Sequence, residues 1–496
     1  MLTRFNSESI KTSCFAVGIS FGLIGFITLI SAVGNFPDSS NSRTQLSLIL
    51  SGLLTSLISA GLLKLAGKQE ITRASKIFSL AVTSILSFIA LSSIVYLLTG
   101  FVETLDAAIW ESAAGITTTA ISNIEIEKLP SSMHIYRSVS QWVGGLGVLC
   151  LVFVAMPLTV RKEDGRDLTS EGYASQIFSR DPKKKVKEFS IVYMGLTVII
   201  FVAYISAGMG TFDSICHSLT TASTGGFSTK SASIGSYGSG SIEWVATFGM
   251  IFGGLNLGLF WWAWKKKFSK IKENTELRAY FFILLISILA FGLMLDRDFF
   301  DLETIRTAAF ITASLLSTTG FTTVSWEFSS AMTTIALLVM ATGAMTGSTG
   351  GGYRVHRVIM LFWYLRREST IMHKPSAIRV MKLSGNKVLD RSLEKLHGYT
   401  AIFILLVAVG AFLLSLSSQH LTLQESISFS LSAMVTNGPG LLESTGVGID
   451  HNVVSHLTLS ALMVLGRLSI LPVAYVVLFA STALKGVFLR TTEEVE

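Results

Sequence analysis

Charge is scarce in this chain. Only 14% of its 496 residues are Asp, Glu, Lys or Arg, while half are hydrophobic. A soluble protein of this size carries about a quarter charged residues, so a soluble enzyme or signalling domain is excluded. Cysteine is equally sparse. Cys14, Cys150 and Cys216 lie in or beside apolar segments, are odd in number and show no CxxC spacing, which excludes a disulfide framework and a zinc site. The apolar stretches lack the clustered His, Asp or Glu that a membrane-embedded enzyme needs. The first apolar run lacks a small-residue cleavage site after it, so it reads as a retained helix rather than a signal peptide.

What is present is a set of long apolar runs. Candidate spans fall at 12–33, 46–66, 77–100, 136–160, 187–207, 242–264, 277–296, 331–364 (interrupted), 398–417 and 453–484. Each approaches or exceeds the roughly 20 residues needed to cross a bilayer. The net charge of +7 invites a nucleic-acid reading. That reading fails, because Lys and Arg concentrate in the stretches 161–188, 265–278 and 354–395, between spans. The opposite loops are poor in both: 34–45 holds only Arg43 and 418–452 holds neither. The positive-inside rule makes the basic loops cytoplasmic. With ten full spans, both termini are then cytoplasmic.

Four short segments recur at roughly 100-residue spacing in the external loops: Gly115–Ser122, Ala222–Ser228, Leu316–Thr322 and Val435–Leu441. They are small, polar and mostly Gly-bearing. Such sequence lies at membrane depth only where it is buried in protein or lines water. Four copies suggest a pseudo-fourfold ring of backbone carbonyls, the device that replaces an ion's hydration shell in a cation filter. Each copy follows 10–15 residues suited to a re-entrant helix, opening on Thr104 and Asp106, Thr211 and Asp213, Asp301 and Glu303, or Thr422 and Glu425. Cap-type and acidic residues suit a helix start, so the partially negative helix ends point at the filter and favour a cation.

The order and spacing of several motifs make the chain resemble the TrkH/KtrB potassium transporters, the TrkH branch most closely. These are Gln141-Trp-Val-Gly-Gly-Leu-Gly147, Ser223-Thr-Gly-Gly-Phe-Ser-Thr229, Thr318-Thr-Gly-Phe-Thr322, Gly347-Ser-Thr-Gly-Gly-Gly352, Asn437-Gly-Pro-Gly-Leu441, and Gly466-Arg-Leu468 followed by Pro472. The resemblance covers nearly the whole chain. It implies an all-α polytopic membrane protein with four helix–pore helix–helix repeats around one pore, plus two extra N-terminal helices. The divisions are 1–70 for those two helices, then 71–164, 165–272, 273–368 and 369–496 for the repeats. The resemblance further implies K⁺ as the transported ion, no cofactor, a homodimer with one pore per subunit, and a plasma-membrane location. A cytoplasmic ring of RCK-type nucleotide-binding subunits, TrkA in name, would gate it. The sequence itself reads without a nucleotide-binding domain.

The expected filter residues are Thr117, Thr118, Thr119 and Ala120; Ser223, Thr224, Gly225 and Gly226; Ser317, Thr318, Thr319 and Gly320; and Val435, Thr436, Asn437 and Gly438. Gly adopts positive φ readily, which lets successive carbonyls face a pore. Repeat one departs from this pattern with Ala120. An L-residue held in the left-handed region costs roughly 1–2 kcal/mol, and its methyl would crowd the ring. The plant HKT transporters with Ser at this position are associated with sodium transport, so two readings stand: weaker K⁺-over-Na⁺ discrimination, or a tolerated substitution. A purely scaffolding subunit with a dead pore is a third.

The run 343–352 interrupts an apolar helix. No Lys follows it as a phosphate-cradling loop requires. Its Gly343, Thr346, Gly347, Ser348, Thr349 and Gly350 read either as an unwound intramembrane gate, as the resemblance implies, or as a Gly-rich packing face. Arg467 lies near mid-span, where a charge is costly and functional by default. It reads as an electrostatic barrier facing the pore or the Gly-rich run, with a structural Arg bonded to carbonyls as the alternative. The family's usual acid two positions on is Ser469 here, which leaves the partner of Arg467 open. Glu111 reads as a support behind the first filter or as a helix-surface residue, and His217 as a packed residue rather than a metal ligand.

Overall fold

The structure is a computed structural model, and it describes residues 2–33, 42–67, 74–122, 124–150, 182–295, 301–323, 329–374, 382–383, 386–388, 390–418, 420–438 and 452–468. Among these residues it is almost entirely helical. Three long helices come first: α1 (Leu2–Val33), α2 (Ser42–Ala66) and α3 (Ala74–Thr99). Then one pattern repeats, in which a short helix is followed by an extended segment and a second helix. The short helices are α4 (Leu105–Thr117), α7 (Thr211–Ala222), α12 (Leu302–Ser317) and α16 (Leu423–Val435). The second helices are α5 (Ser131–Cys150), α8 (Gly240–Gly253), α13 (Ser330–Thr342) and α17 (Val453–Leu468). The long helices α6 (Pro182–Ser206), α11 (Thr275–Met294) and α15 (Asp390–Ser417) lead into the later repeats. The helices α9 (Leu257–Trp264) and α10 (Phe268–Lys272) follow α8, and α14 (Val355–His373) follows α13.

Polarity is inverted relative to a water-soluble protein. Leu57 on α2, Ile199 on α6, Phe282 on α11 and Phe412 on α15 are exposed, while dozens of Ser and Thr are buried. So extended an apolar exterior is insoluble in water and suits lipid. Six described helices are long and apolar enough to cross a membrane, or seven if α8 and α9 count as one bent span. The sequence reading proposes ten. The difference has three sources: α13 and α17 are apolar but short, α8 and α9 are bent by 91°, and the continuations 151–160 and 469–484 lie outside the described residues.

The N-terminal pair packs through small residues. The Ser59 hydroxyl donates to the Gly18 carbonyl at 2.7 Å, and a Cβ built on Gly25 would fall 2.3 Å from Ser56 Oγ. Small residues let helix backbones approach closely where lipid removes any hydrophobic drive for association. The same device seats the repeats. A Cβ on Gly144 of α5 would lie 2.1 Å from the Ile116 carbonyl oxygen, and one on Gly466 of α17 would lie 1.9 Å from that of Met434.

The all-helical architecture holds, with β1 (Lys382–Leu383) and β2 (Asn386–Lys387) adding only a minimal antiparallel hairpin. One expectation needs correction: the caps are less uniform than the sequence suggests. Thr422 makes a full capping box with Glu425, but Thr104 and Asp301 make no side-chain cap bond, and the cap of α7 is Gly210 rather than Thr211.

Candidate functional site: four turns and a glycine loop

Each short helix ends in the same way. Thr118, Thr224, Thr318 and Thr436 all take a left-handed backbone, with φ of 55°, 51°, 58° and 55°, and all four are buried. A β-branched residue at positive φ is a genuine outlier, and four in register mark a shared local geometry. The sequence reading missed it, because Thr carries no signal for that conformation. Two residues further on stand Ala120, Gly226, Gly320 and Gly438. The glycines have φ of 79°, 83° and 152°.

These four residues meet at one point. Cβ atoms built on Gly226, Gly320 and Gly438 would lie 2.7, 2.9 and 2.7 Å from the Ala120 Cβ. The Ala120 methyl therefore faces all three glycines. Its own backbone is not among the positive-φ residues, which corrects the expectation of a left-handed alanine: the segment turns differently instead of bearing that strain. Neighbouring segments also pack backbone to backbone. A Cβ on Gly226 would lie 1.9 Å from the Thr319 carbonyl oxygen, and one on Gly320 2.3 Å from that of Asn437.

Side chains brace the turns. Gln141 on α5 donates to the Gly225 carbonyl at 2.8 Å and to that of Thr119 at 3.3 Å, and its Oε1 accepts from Phe227 N at 3.1 Å. It thus ties the first segment to the second, a role its place in a sequence motif did not reveal. Glu111, which the sequence left between a support from behind and a helix-surface residue, is buried; it accepts from the Ser122 hydroxyl at 2.7 Å and lies 3.7 Å from Arg137 Nε. The Arg137 guanidinium also stacks 4.1 Å over the Phe227 ring. His217 is packed, as expected. Its Nδ1 donates to the Asp213 carbonyl at 2.8 Å, and its Nε2 pairs with the Ser228 hydroxyl at 3.0 Å. Among the described residues no group of His, Cys, Asp or Glu is arranged to hold a metal ion.

The Gly-rich run between α13 and α14 is a non-helical loop, as the unwound reading expects. Gly343, Gly347 and Gly352 have φ of 70°, 80° and 87°. The loop presses on the ends of three short helices. Thr349 Oγ1 donates to the Ala222 carbonyl at 3.0 Å, and Gly351 N donates to Thr318 Oγ1 at 2.7 Å. Cβ atoms on Gly350 and Gly351 would lie 2.6 Å from the Ser317 and 2.3 Å from the Val435 carbonyl oxygens. Arg467 supplies the partner that the sequence left open: its Nη1 donates to the Thr349 carbonyl at 2.8 Å. The guanidinium is buried, and no carboxylate pairs with it among the described residues. Glu276 of α11 accepts from Thr346 N at 2.7 Å, His356 bonds the Thr346 hydroxyl, and Ser348 Oγ donates to the Met345 carbonyl at 2.6 Å.

Outside this centre, His456 of α17 bonds Asp106 at the start of α4 through Nδ1 at 2.5 Å. Burial opposes ionisation of Asp106, but the bonds from His456 and Thr104 outweigh it and hold the carboxyl below its ordinary value. Pro439, Gly440 and Leu441 of the fourth segment, and Ser469 and Pro472, lie outside the described residues.

Four small-residue turns meeting at one point inside a helical membrane protein, with a loop held against the bases of three of them, fit a polytopic membrane transport protein. The family described as cation transport protein, TrkH, matches residues 46–485. The chain belongs to the TrkH family, and it is a transporter rather than an enzyme. The Trk system potassium uptake protein TrkH of Halomonas elongata is 30% identical over 386 residues, covering 75% of this chain and 78% of that protein. The protein of the same name from Escherichia coli K12 is 30% identical over 396 residues, 76% of this chain and 79% of its own. The crystal structure of the potassium transporter TrkH from Vibrio parahaemolyticus has the same fold, with a TM-score of 0.84 over 94% of this chain and 98% of that one, at 23% identity.

Proposed function

We propose that the chain is the membrane subunit of a potassium uptake system. Four pseudo-symmetric repeats surround one pore, and K⁺ passes down its gradient through carbonyls of the four turns. The convergence of Ala120, Gly226, Gly320 and Gly438 on one point carries this reading. The names of the relatives, each a potassium uptake protein, supply the ion.

The loop 343–352 is the gate beneath the filter. Thr349 meets Ala222 above it and Arg467 beside it, so displacing the loop breaks both contacts at once. A guanidinium at that level repels cations while the loop is in place. The subunit works as a homodimer with both termini in the cytoplasm, under an RCK-type nucleotide-binding regulator. The repeats divide at 71–164, 165–272, 273–368 and 369–496, after the helix pair in 1–70.

A second reading concerns selectivity, and the Ala120 methyl favours it. With that methyl facing three glycines, the ring cannot present four equal carbonyls at this level, and K⁺-over-Na⁺ discrimination falls below that of an all-glycine ring. The test is flux through the purified protein in liposomes under K⁺, Rb⁺ and Na⁺ gradients, with Ala120→Gly in parallel. K⁺ and Rb⁺ flux above Na⁺ is expected, with the ratio raised in the variant. Equal ratios in the two proteins would make the alanine a neutral substitution. Absence of flux, with or without the cytoplasmic regulator, would sink the conducting role altogether.

A further inference from the structure

We propose that the groove between α10 and α11 binds an anionic phospholipid of the cytoplasmic leaflet, and that the bound lipid holds the 343–352 loop in its seated position. The second half rests on the reading of that loop as a gate. The argument starts at the corner after α8. That helix has 14 residues, about 21 Å at 1.5 Å per residue, which falls short of the roughly 30 Å hydrocarbon core. The chain then bends by 91° into α9. Asn256 fixes the bend, its side chain accepting from Gly258 N at 2.8 Å. A helix perpendicular to a span lies along the leaflet, and the sequence of α9 fits that position: Leu-Gly-Leu-Phe-Trp-Trp-Ala-Trp, followed at once by three lysines. Trp belongs at the headgroup level and Lys in the anionic layer beyond it.

The corner is strongly basic. Lys265, Lys266, Lys267, Lys270 and Lys272 are all exposed. Lys265 and Lys270 sit 5.0 and 5.7 Å over the rings of Trp261 and Trp262, so they reach out from an aromatic floor. Beside them is an open groove of about 480 Å³. Its walls are Leu277, Phe281, Phe282 and Leu285, and its mouth is Lys272 and Arg278. The Arg278 Nε donates to the Lys272 carbonyl at 3.0 Å, which keeps the guanidinium at the mouth. Two cations above an apolar trough complement a phosphate above an acyl chain. Glu276, the acid nearest in sequence to Arg278, is turned away and buried against Thr346.

The corner is also stitched to the loop. Met345 N donates to the Gly254 carbonyl at 3.0 Å, Leu257 N donates to that of Gly347 at 3.0 Å, and Thr349 Oγ1 donates to that of Gly253 at 3.2 Å. A lipid that pins α10 to the leaflet therefore pins α9, and through these bonds the loop.

The test uses the full chain and starts without the regulator. Native mass spectrometry compares retention of phosphatidylglycerol and phosphatidylcholine by the parent and by Lys272→Gln/Arg278→Gln. Basal Rb⁺ flux is then read in phosphatidylcholine vesicles with and without phosphatidylglycerol. We expect selective retention of phosphatidylglycerol, a severalfold fall in basal flux when it is added, and loss of both effects in the double variant with the Rb⁺/Na⁺ ratio unchanged. Surface charge alone works in the opposite sense, because an anionic membrane concentrates Rb⁺ and raises flux. Equal retention of the two lipids, or a double variant that responds like the parent, would overturn the proposal. So would efficient Phe282→Cys cross-linking between two chains, which would put a second copy in the groove. If no vesicle shows flux, adding the cytoplasmic regulator separates a closed gate from a pore that does not conduct, and lipid retention still decides the site.

Discussion

Segments one and two differ from segments three and four in what stands behind the turn. Seven residues before each left-handed threonine, the first two repeats carry Glu111 and His217, and the last two carry Ile311 and Phe429. Glu111 reaches Ser122 and His217 reaches Ser228, so the polar pair meets serines at one equivalent position, four residues past the threonine. In segments three and four the brace comes from inside the turn: Ser314 donates to the Phe321 carbonyl at 2.8 Å, and Ser432 bonds the Gly438 carbonyl. The glycine loop then presses on these two from below, at Thr318, Ser317 and Val435. Pseudo-symmetry of backbone thus coexists with two modes of support. The loop meets segment two as well, since Thr349 donates to the Ala222 carbonyl, so the two modes differ in where the brace stands, behind the turn or within it.

The largest expected effect breaks the rear brace. Glu111→Leu leaves Arg137 buried without its carboxylate, and removing one partner of a buried pair costs about 3–5 kcal/mol. Adding Arg137→Leu should restore most of that loss, whereas Ile311→Val in segment three should cost only about 0.5–1.5 kcal/mol. Thermal unfolding in detergent reads all three. A double variant no more stable than Glu111→Leu would mean that the pair is not what holds segment one.

Next comes the support from below. Arg467→Ala deletes a charged hydrogen bond to the Thr349 carbonyl, worth about 1.5–3 kcal/mol, so basal Rb⁺ flux should rise about tenfold or more. An unchanged basal flux would remove Arg467 from the gate. A smaller effect is expected at the seam between segments one and two. Gln141→Leu removes two bonds to carbonyls and one from Phe227 N, and it should lower the K⁺/Na⁺ flux ratio a fewfold while the response to Arg467→Ala persists. If the ratio holds, the two segments keep their spacing without Gln141.

The smallest effect lies where α17 meets α4. Asp106 has a lowered pKa, so its bond to His456 contributes at neutral pH and is lost as pH falls through that lowered value. Asp106→Asn should cost about 1 kcal/mol at pH 7 and progressively less in acid. A pH-independent difference would assign the loss to packing.

Much of this was legible in the sequence, and the reasons are physical. Small, polar, glycine-bearing segments between apolar runs have few places to be, so the four turns and the 343–352 interruption could be located directly. Glu111 stayed open between a support and a helix-surface residue, because its partner Ser122 lies beyond the end of the helix. What stayed hidden depends on contacts distant along the chain. Gln141 finds Gly225 84 residues away, and Arg467 finds Thr349 118 residues away. The bend after Gly253 hid inside an apolar stretch that reads as one span, since hydropathy is blind to direction. Ala120 misled for a different reason. Alignment with glycines suggested their backbone geometry, but an alanine can evade the left-handed region by turning another way.

The nesting of the Ala120 methyl against three glycines also limits how the ring can mutate. Any second methyl, at Gly226, Gly320 or Gly438, would be built within 3 Å of the first. The centre therefore holds one alanine at a time, and substitutions there are mutually exclusive. At Gly226 and Gly320 a methyl is barred twice over, because it would also fall 1.9 and 2.3 Å from the Thr319 and Asn437 carbonyl oxygens, so returning Ala120 to glycine does not by itself open either position.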